Sequence, residues 1–319
     1  MSDLLGLAFP FFGLIFLGYG CGRFARLPEA GLAWLSFFII YLALPALFYR
    51  IVAQTPFAEL ANPGFILAAV VSTAVTAGLA LALGLWLRRG NIGEAAIATT
   101  VGGYANVGYM GPGLTLAALG QDAATPAALI FACDSVFFFT LVPLLMALRT
   151  GGGSIGATLL LVVKRVLTHP FNIATLLGVL AAYFEFRAPG AVERMLDYLK
   201  NAAAPCALFT LGVTVALRPL GRVPSELAPL LGLKLLVHPV IALVSLTTLA
   251  SVSRSWVETG VLMASLPPAL NCFILARQYN VYVEQASAAV LLGTVASVVT
   301  VTGVLYLLQQ HLLPLGGLW

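Results

Sequence analysis

The sequence predicts an all-α polytopic membrane protein of ten transmembrane helices, built as two five-helix repeats of inverted topology (5+5) with the fourth and ninth helices broken. Composition is the first observation. Of 319 residues 61% are hydrophobic and 9% charged, and the mean hydropathy is +1.01, where a soluble domain carries about 25% charged residues. Second, ten apolar stretches reach the ~20 residues that a membrane helix needs. Third, prolines, glycines and asparagines recur at matching places in the two halves.

Taken in order, the spans fall at about 4–25, 31–50, 63–88, 93–118, 123–147, 165–186, 197–217, 225–250, 255–278 and 284–308. The first carries Pro10 and no Lys or Arg before Arg23, so it lacks the basic start of a signal peptide and is read as retained. The second follows Pro28 and holds Pro45 in the string PALF; the sixth and seventh repeat this with Pro170, Pro189 and Pro205 in PCALF. Pro10 to Pro45 and Pro170 to Pro205 are both 35 residues apart. Glu94 opens the fourth span 12 residues before Asn106, and Glu258 opens the ninth 13 residues before Asn271. The Gly-rich segment 150–156 reads as a joint between residues 1–150 and 151–319. Five spans per half is an odd number, so the halves must be inverted, and an inverted repeat with matched broken helices is the pattern of secondary transporters.

The fourth span is broken by GYANVGYMGPG, residues 103–113, and the ninth by LPPALN, residues 266–271. Glycine costs a helix interior about 1 kcal/mol and proline about 3. Non-helical backbone at membrane depth persists only where protein buries it or water reaches it. Pro267 and Pro268 remove two donors and leave carbonyls one turn back without partners. A lone membrane proline is commonly just a kink, but two breaks at corresponding places read as one shared site. Gly111 and Pro112 supply the first break. Asn106 and Asn271 offer amide donors and acceptors suited to a carboxylate; their plainer reading is an interhelical hydrogen bond. Tyr104 and Tyr109 either line the same cavity or sit at an interface.

Asp134 and Lys234 lie near the middle of the fifth and eighth spans, where ionisable groups are expensive and normally paired or wet. Either they form a structural pair, or they serve coupling and charge balance, with Asp134 carrying a proton or Lys234 countering an anion. His238, one turn after Lys234, titrates near neutral pH when unperturbed and joins them as a candidate; a plain hydrogen-bonded histidine is the alternative.

Lys and Arg number ten in odd-numbered linkers and five in even-numbered ones, which places the odd linkers in the cytoplasm and both termini outside the cytoplasmic (inner or plasma) membrane. The pI near 9.0 therefore reflects orientation, not nucleic-acid binding. Cys21, Cys133, Cys206 and Cys272 stand singly, so neither a metal nor a cofactor is expected. Walker, HExxH and TVGYG sequences are absent, which argues against an enzyme or a selective channel.

GYANVGYMGPG with SLPPALNCFILARQY, PALF in the second span and Lys-x3-His-Pro in the eighth resembles the auxin efflux carrier family, which includes plant carriers and bacterial permeases for malonate and other organic anions. The resemblance implies that helices 4 and 9 cross at Pro112 and Pro267 or Pro268 beside the substrate, with Asn106 next to the first. It also implies a scaffold of helices 1, 2, 6 and 7, an elevator-like transport subdomain of helices 3–5 and 8–10, and a homodimer. The plant carriers' long central loop is missing. The expectation is a carrier of a small organic anion, a carboxylate, with membrane lipids as its surroundings. The alternatives are a sodium-coupled carrier like the bile-acid symporters, disfavoured because the ninth span has no acid after Glu258, and a non-transporting sensor or scaffold.

Overall fold

The computed structural model describes residues 2–25, 29–150, 170–217 and 224–313, with isolated positions between 156 and 168. Most of the Gly-rich joint lies outside the described residues. The chain runs α1 (Ser2–Phe24), α2 (Leu32–Gln54), α3 (Pro63–Leu87), α4 (Ile92–Gly103), α5 (Gly111–Leu119), α6 (Ala124–Thr150), α7 (Pro170–Tyr183), α8 (Gly190–Ala216), α9 (Leu227–Leu249), α10 (Arg254–Ser265), α11 (Leu270–Tyr279) and α12 (Val283–Gln309). Six helices among the described residues are long and apolar enough to cross a membrane: α2, α3, α6, α8, α9 and α12. Exposed Phe9, Trp34, Leu79, Trp86 and Val299 suit lipid, which is as apolar as they are.

Proline explains two irregular turns that the sequence did not announce. In α2 a π-turn covers Ile39–Ala43 just before Pro45, and in α9 another covers Leu233–Val237 just before Pro239. A proline lacks the N–H that would bond four residues back and its ring crowds that carbonyl, so the preceding turn widens.

Two packed groups emerge. In the first, α1 crosses α8 and α7 lies on α2. A Cβ on Gly18 would stand 2.1 Å from the Phe209 carbonyl oxygen and one on Gly212 2.0 Å from that of Ile15, so this crossing brings backbone against backbone. In the second group α3 packs on α4 and α9, α9 on α10, and α4 on α6. Small residues again set the spacing, with Gly84 against Ala95 and Gly102 against Ala80. Without a hydrophobic force between helices in lipid, such close packing is what holds them. The groups meet where α1 touches α5 and α12, and where α2 touches α6.

Candidate functional site

The broken helices meet. α4 ends at Gly103 and α5 starts at Gly111; α10 ends at Ser265 and α11 starts at Leu270. Between them Ala105 and Pro268 form an isolated antiparallel bridge. The Asn106 N–H donates to the Pro267 carbonyl at 2.8 Å and the Ala269 N–H to the Tyr104 carbonyl at 2.9 Å. Pro268 sits opposite Ala105 where neither bond needs its missing donor, so it fits here as it could not inside a helix. The bridge thus satisfies backbone that hydrocarbon would leave bare.

The break is shorter than the glycine-rich string suggested. Gly111 and Pro112 belong to the first turn of α5, where a proline's missing N–H has no helical partner to lose. Asn271 likewise lies in the first turn of α11. Gly111 is close to the other break: a Cβ there would stand 2.6 Å from the Met263 Sδ.

At the crossing Tyr104 is buried, stacked on Phe138 at 4.5 Å, and its hydroxyl accepts from Asn271 Nδ2 at 3.1 Å. Asn106 is 1% exposed. Its Oδ1 accepts from the Tyr109 N–H at 3.4 Å, and its backbone carbonyl takes the N–H groups of Met110 and Gly111, both at 3.2 Å. Its Nδ2 is buried with no hydrogen-bond partner. The structure therefore gathers Tyr104, Asn106, Tyr109, Gly111, Pro267, Pro268 and Asn271, with Pro112 one residue into α5. Both tyrosines are buried within the protein.

The direct Asp134–Lys234 pair is not formed. Asp134 Oδ1 instead accepts from the Thr73 hydroxyl at 2.7 Å. Lys234 Nζ donates to the Ala264 carbonyl at 2.6 Å and contacts His238 Nδ1 at 3.1 Å. The reason is the second break: Ala264 is four residues before Pro268, which has no N–H to give back, and the buried ammonium takes the freed carbonyl. The widened turn at Leu233–Val237 carries Lys234. Asp134, Thr73, Ser72, His238 and Ala264 all line one small cavity of about 20 Å³, a volume suited to a single water. Sequence reasoning missed Ser72 and Thr73, because hydroxyls in an apolar span look like helix packing.

It also missed a cluster at the other end of these helices. Arg88 pairs with Glu94 and donates to both Glu226 carboxylate oxygens at 2.9 and 3.2 Å, while the Tyr282 hydroxyl donates to Glu226 at 2.9 Å. This ties α3, α4, the start of α9 and the start of α12 together. Glu258, near the start of α10, is held by Arg254 at 2.7 Å.

A family model described as "Membrane transport protein" matches residues 4–305. The chain belongs to that family, the auxin efflux carrier family. A Rhizobium meliloti protein named "Putative malonate transporter" is 47% identical over 98% of both chains. An "Uncharacterized transporter" of Methanothermobacter thermautotrophicus is 26% identical over 90% of this chain and 92% of its own. "Auxin efflux carrier component 3a" of Oryza sativa is 24% identical over 46% of this chain and 26% of its own. These are transporters rather than enzymes, and the chain is a multi-pass membrane transport protein.

Proposed function

We propose that this transporter moves a small organic carboxylate by alternating access, with the crossing of the broken helices as its binding site. The single observation that carries the reading is Asn106: a buried amide nitrogen without a partner, beside a crossing where α5 and α11 begin. A buried unsatisfied donor costs about 1–3 kcal/mol, so its retention points to a ligand that completes it. The half-helix N-termini add partial positive charge. The relative named for malonate makes malonate the first substrate to test.

In this reading α1, α2, α7 and α8 form the scaffold and the second packed group moves against it, in an elevator-like step. Asp134, Lys234 and His238 serve coupling and charge balance behind the crossing. Sodium is a poor fit there, because the carbonyl freed by Pro268 already holds an ammonium. Both termini lie on the non-cytoplasmic side, and the carrier is a homodimer built on its scaffold helices.

Radiolabelled uptake into proteoliposomes over a panel of mono- and dicarboxylates tests the reading. Saturable malonate uptake is expected, and Asn106→Ala lowers it about tenfold, the equivalent of one hydrogen bond to a charged group. If no carboxylate moves and Asn106→Ala leaves ligand binding unchanged, a sensor or scaffold built on a transporter fold takes its place.

A further inference from the structure

A large cavity lies away from the crossing. It measures about 530 Å³ and opens between α2 and α8 on one side and the loops before α3, α6 and α10 on the other. That volume falls within the range of small-molecule sites. Its floor is tied by one hydrogen bond between hydroxyls, Thr55 on α2's end and Thr125 in α6, at 3.0 Å. The Thr55 proton goes to the Ile51 carbonyl at 3.0 Å, so Thr125 is the donor.

Charge in this vestibule is arranged by its neighbours. Lys200 of α8 lines it. Asp197, one turn earlier, is taken by Arg50 through two bonds of 2.9 and 3.1 Å, and Glu193 by the same guanidinium at 3.3 Å. Lys200 therefore has no ion pair among the described residues. Asp122, also unpaired there, lines the same cavity beside the N-terminus of α6. Asn62 and Ser253, at the N-caps of α3 and α10, line it as well. Their helices add unsatisfied N–H groups and positive dipole ends.

An aromatic cluster lies on α6 between Thr125 and the residues packed against the first break. Six residues along α6 from Thr125, Phe131 stacks on Phe48 of α2 at 4.1 Å and leans on Phe171 of α7 at 5.3 Å. Its far edge lies 3.1 Å from where a Cβ on Gly108 would stand. Phe131 thus touches α2, α7 and the first break, where Gly108 stands three residues after Asn106's neighbour Ala105.

We infer that the vestibule is a second, peripheral binding site: it captures a small carboxylate anion on Lys200, against the helix N-termini, before the anion passes to the crossing. This rests on the transport reading above. Asp122 opposes Lys200 and sets the strength of capture, keeping it weak enough to release.

The test is malonate transport by the full chain, reconstituted in one orientation and measured from each face. From the vestibule face Lys200→Gln raises KM about three- to tenfold with kcat kept, Lys200→Arg restores it, and Asp122→Asn lowers KM, as expected for exposed charge contacts that act on encounter. From the opposite face KM stays at the wild-type value. The vestibule-face differences shrink as salt rises toward 0.15 M. Wild-type transport with an unchanged KM in Lys200→Gln, or equal changes from both faces, overturns the capture site and leaves the transport reading standing. No wild-type transport of any carboxylate removes both.

Discussion

Gly293→Ala probes the crossing without touching a polar group. Gly293 lies in α12, and a Cβ there would stand 2.4 Å from Pro268 Cδ, 3.0 Å from its Cγ and 3.1 Å from a Leu231 methyl. Carbon atoms pack best at about 3.5–4.0 Å, so the overlap with the ring exceeds ~1 Å. A flexible side chain would swing aside, but Pro268 is a ring held between the Pro267 carbonyl and the Ala269 N–H, both bonded across the bridge. Overpacking of this kind costs about 1–3 kcal/mol, and relief requires lengthening the bonds that join the two breaks. Gly303→Ala on the same helix is the control, since nothing lies within 4 Å of its Cβ position; it gains up to ~1 kcal/mol of helix propensity. Thermal unfolding in detergent, followed by tryptophan fluorescence, should show a lower midpoint for Gly293→Ala and an equal or higher one for Gly303→Ala. Malonate uptake should fall in the first variant alone. Equal midpoints and equal uptake in the two variants would refute the claim that Pro268 is rigidly seated.

Three further predictions follow from the same geometry. In a background without the four native cysteines, Thr55→Cys with Thr125→Cys should oxidise to a disulfide, because the hydroxyl oxygens are 3.0 Å apart. Uptake should drop about tenfold on oxidation and return with reductant if α6 moves against α2; full activity while crosslinked would exclude such movement at that point. Asp134→Asn should abolish accumulation driven by a pH gradient yet spare malonate exchange, with Thr73 still able to donate to the amide oxygen; loss of both with folded protein intact would deny Asp134 a proton-carrying role. Arg50→Ala leaves the half-exposed Asp197 and Glu193 without their cation and should lower the thermal midpoint by the equivalent of about 0.5–1 kcal/mol, whereas a shift near zero would mean that water fully replaces the guanidinium.

Much of the crossing is legible in the chain because proline and glycine act locally. Pro268 cannot give a hydrogen bond to Ala264 whatever surrounds it, and Gly103 to Gly113 cannot hold a stable helix without help. Hydropathy is equally local, so the apolar spans and their short linkers follow from composition and length. The match between GYAN and PALN could be read for the same reason.

Partnership across distance could not. Arg50 and Asp197 are 147 residues apart, Arg88 and Glu226 are 138 apart, and Asn271 meets Tyr104 across 167. Lys234 and Asp134 stand at similar depths in the sequence, which suggests a pair, yet each found another partner. The physical cause is rotation. Hydropathy sets how deep a residue sits, but helix packing sets which way it faces, and small residues such as Gly84, Gly102 and Gly293 fix that packing through contacts no local window contains. The sequence by itself determined that two helices must break; the tertiary structure decided how short the first break is, that the breaks join, that Lys234 holds the carbonyl which Pro268 releases, and that Lys200 and Asp122 line one cavity.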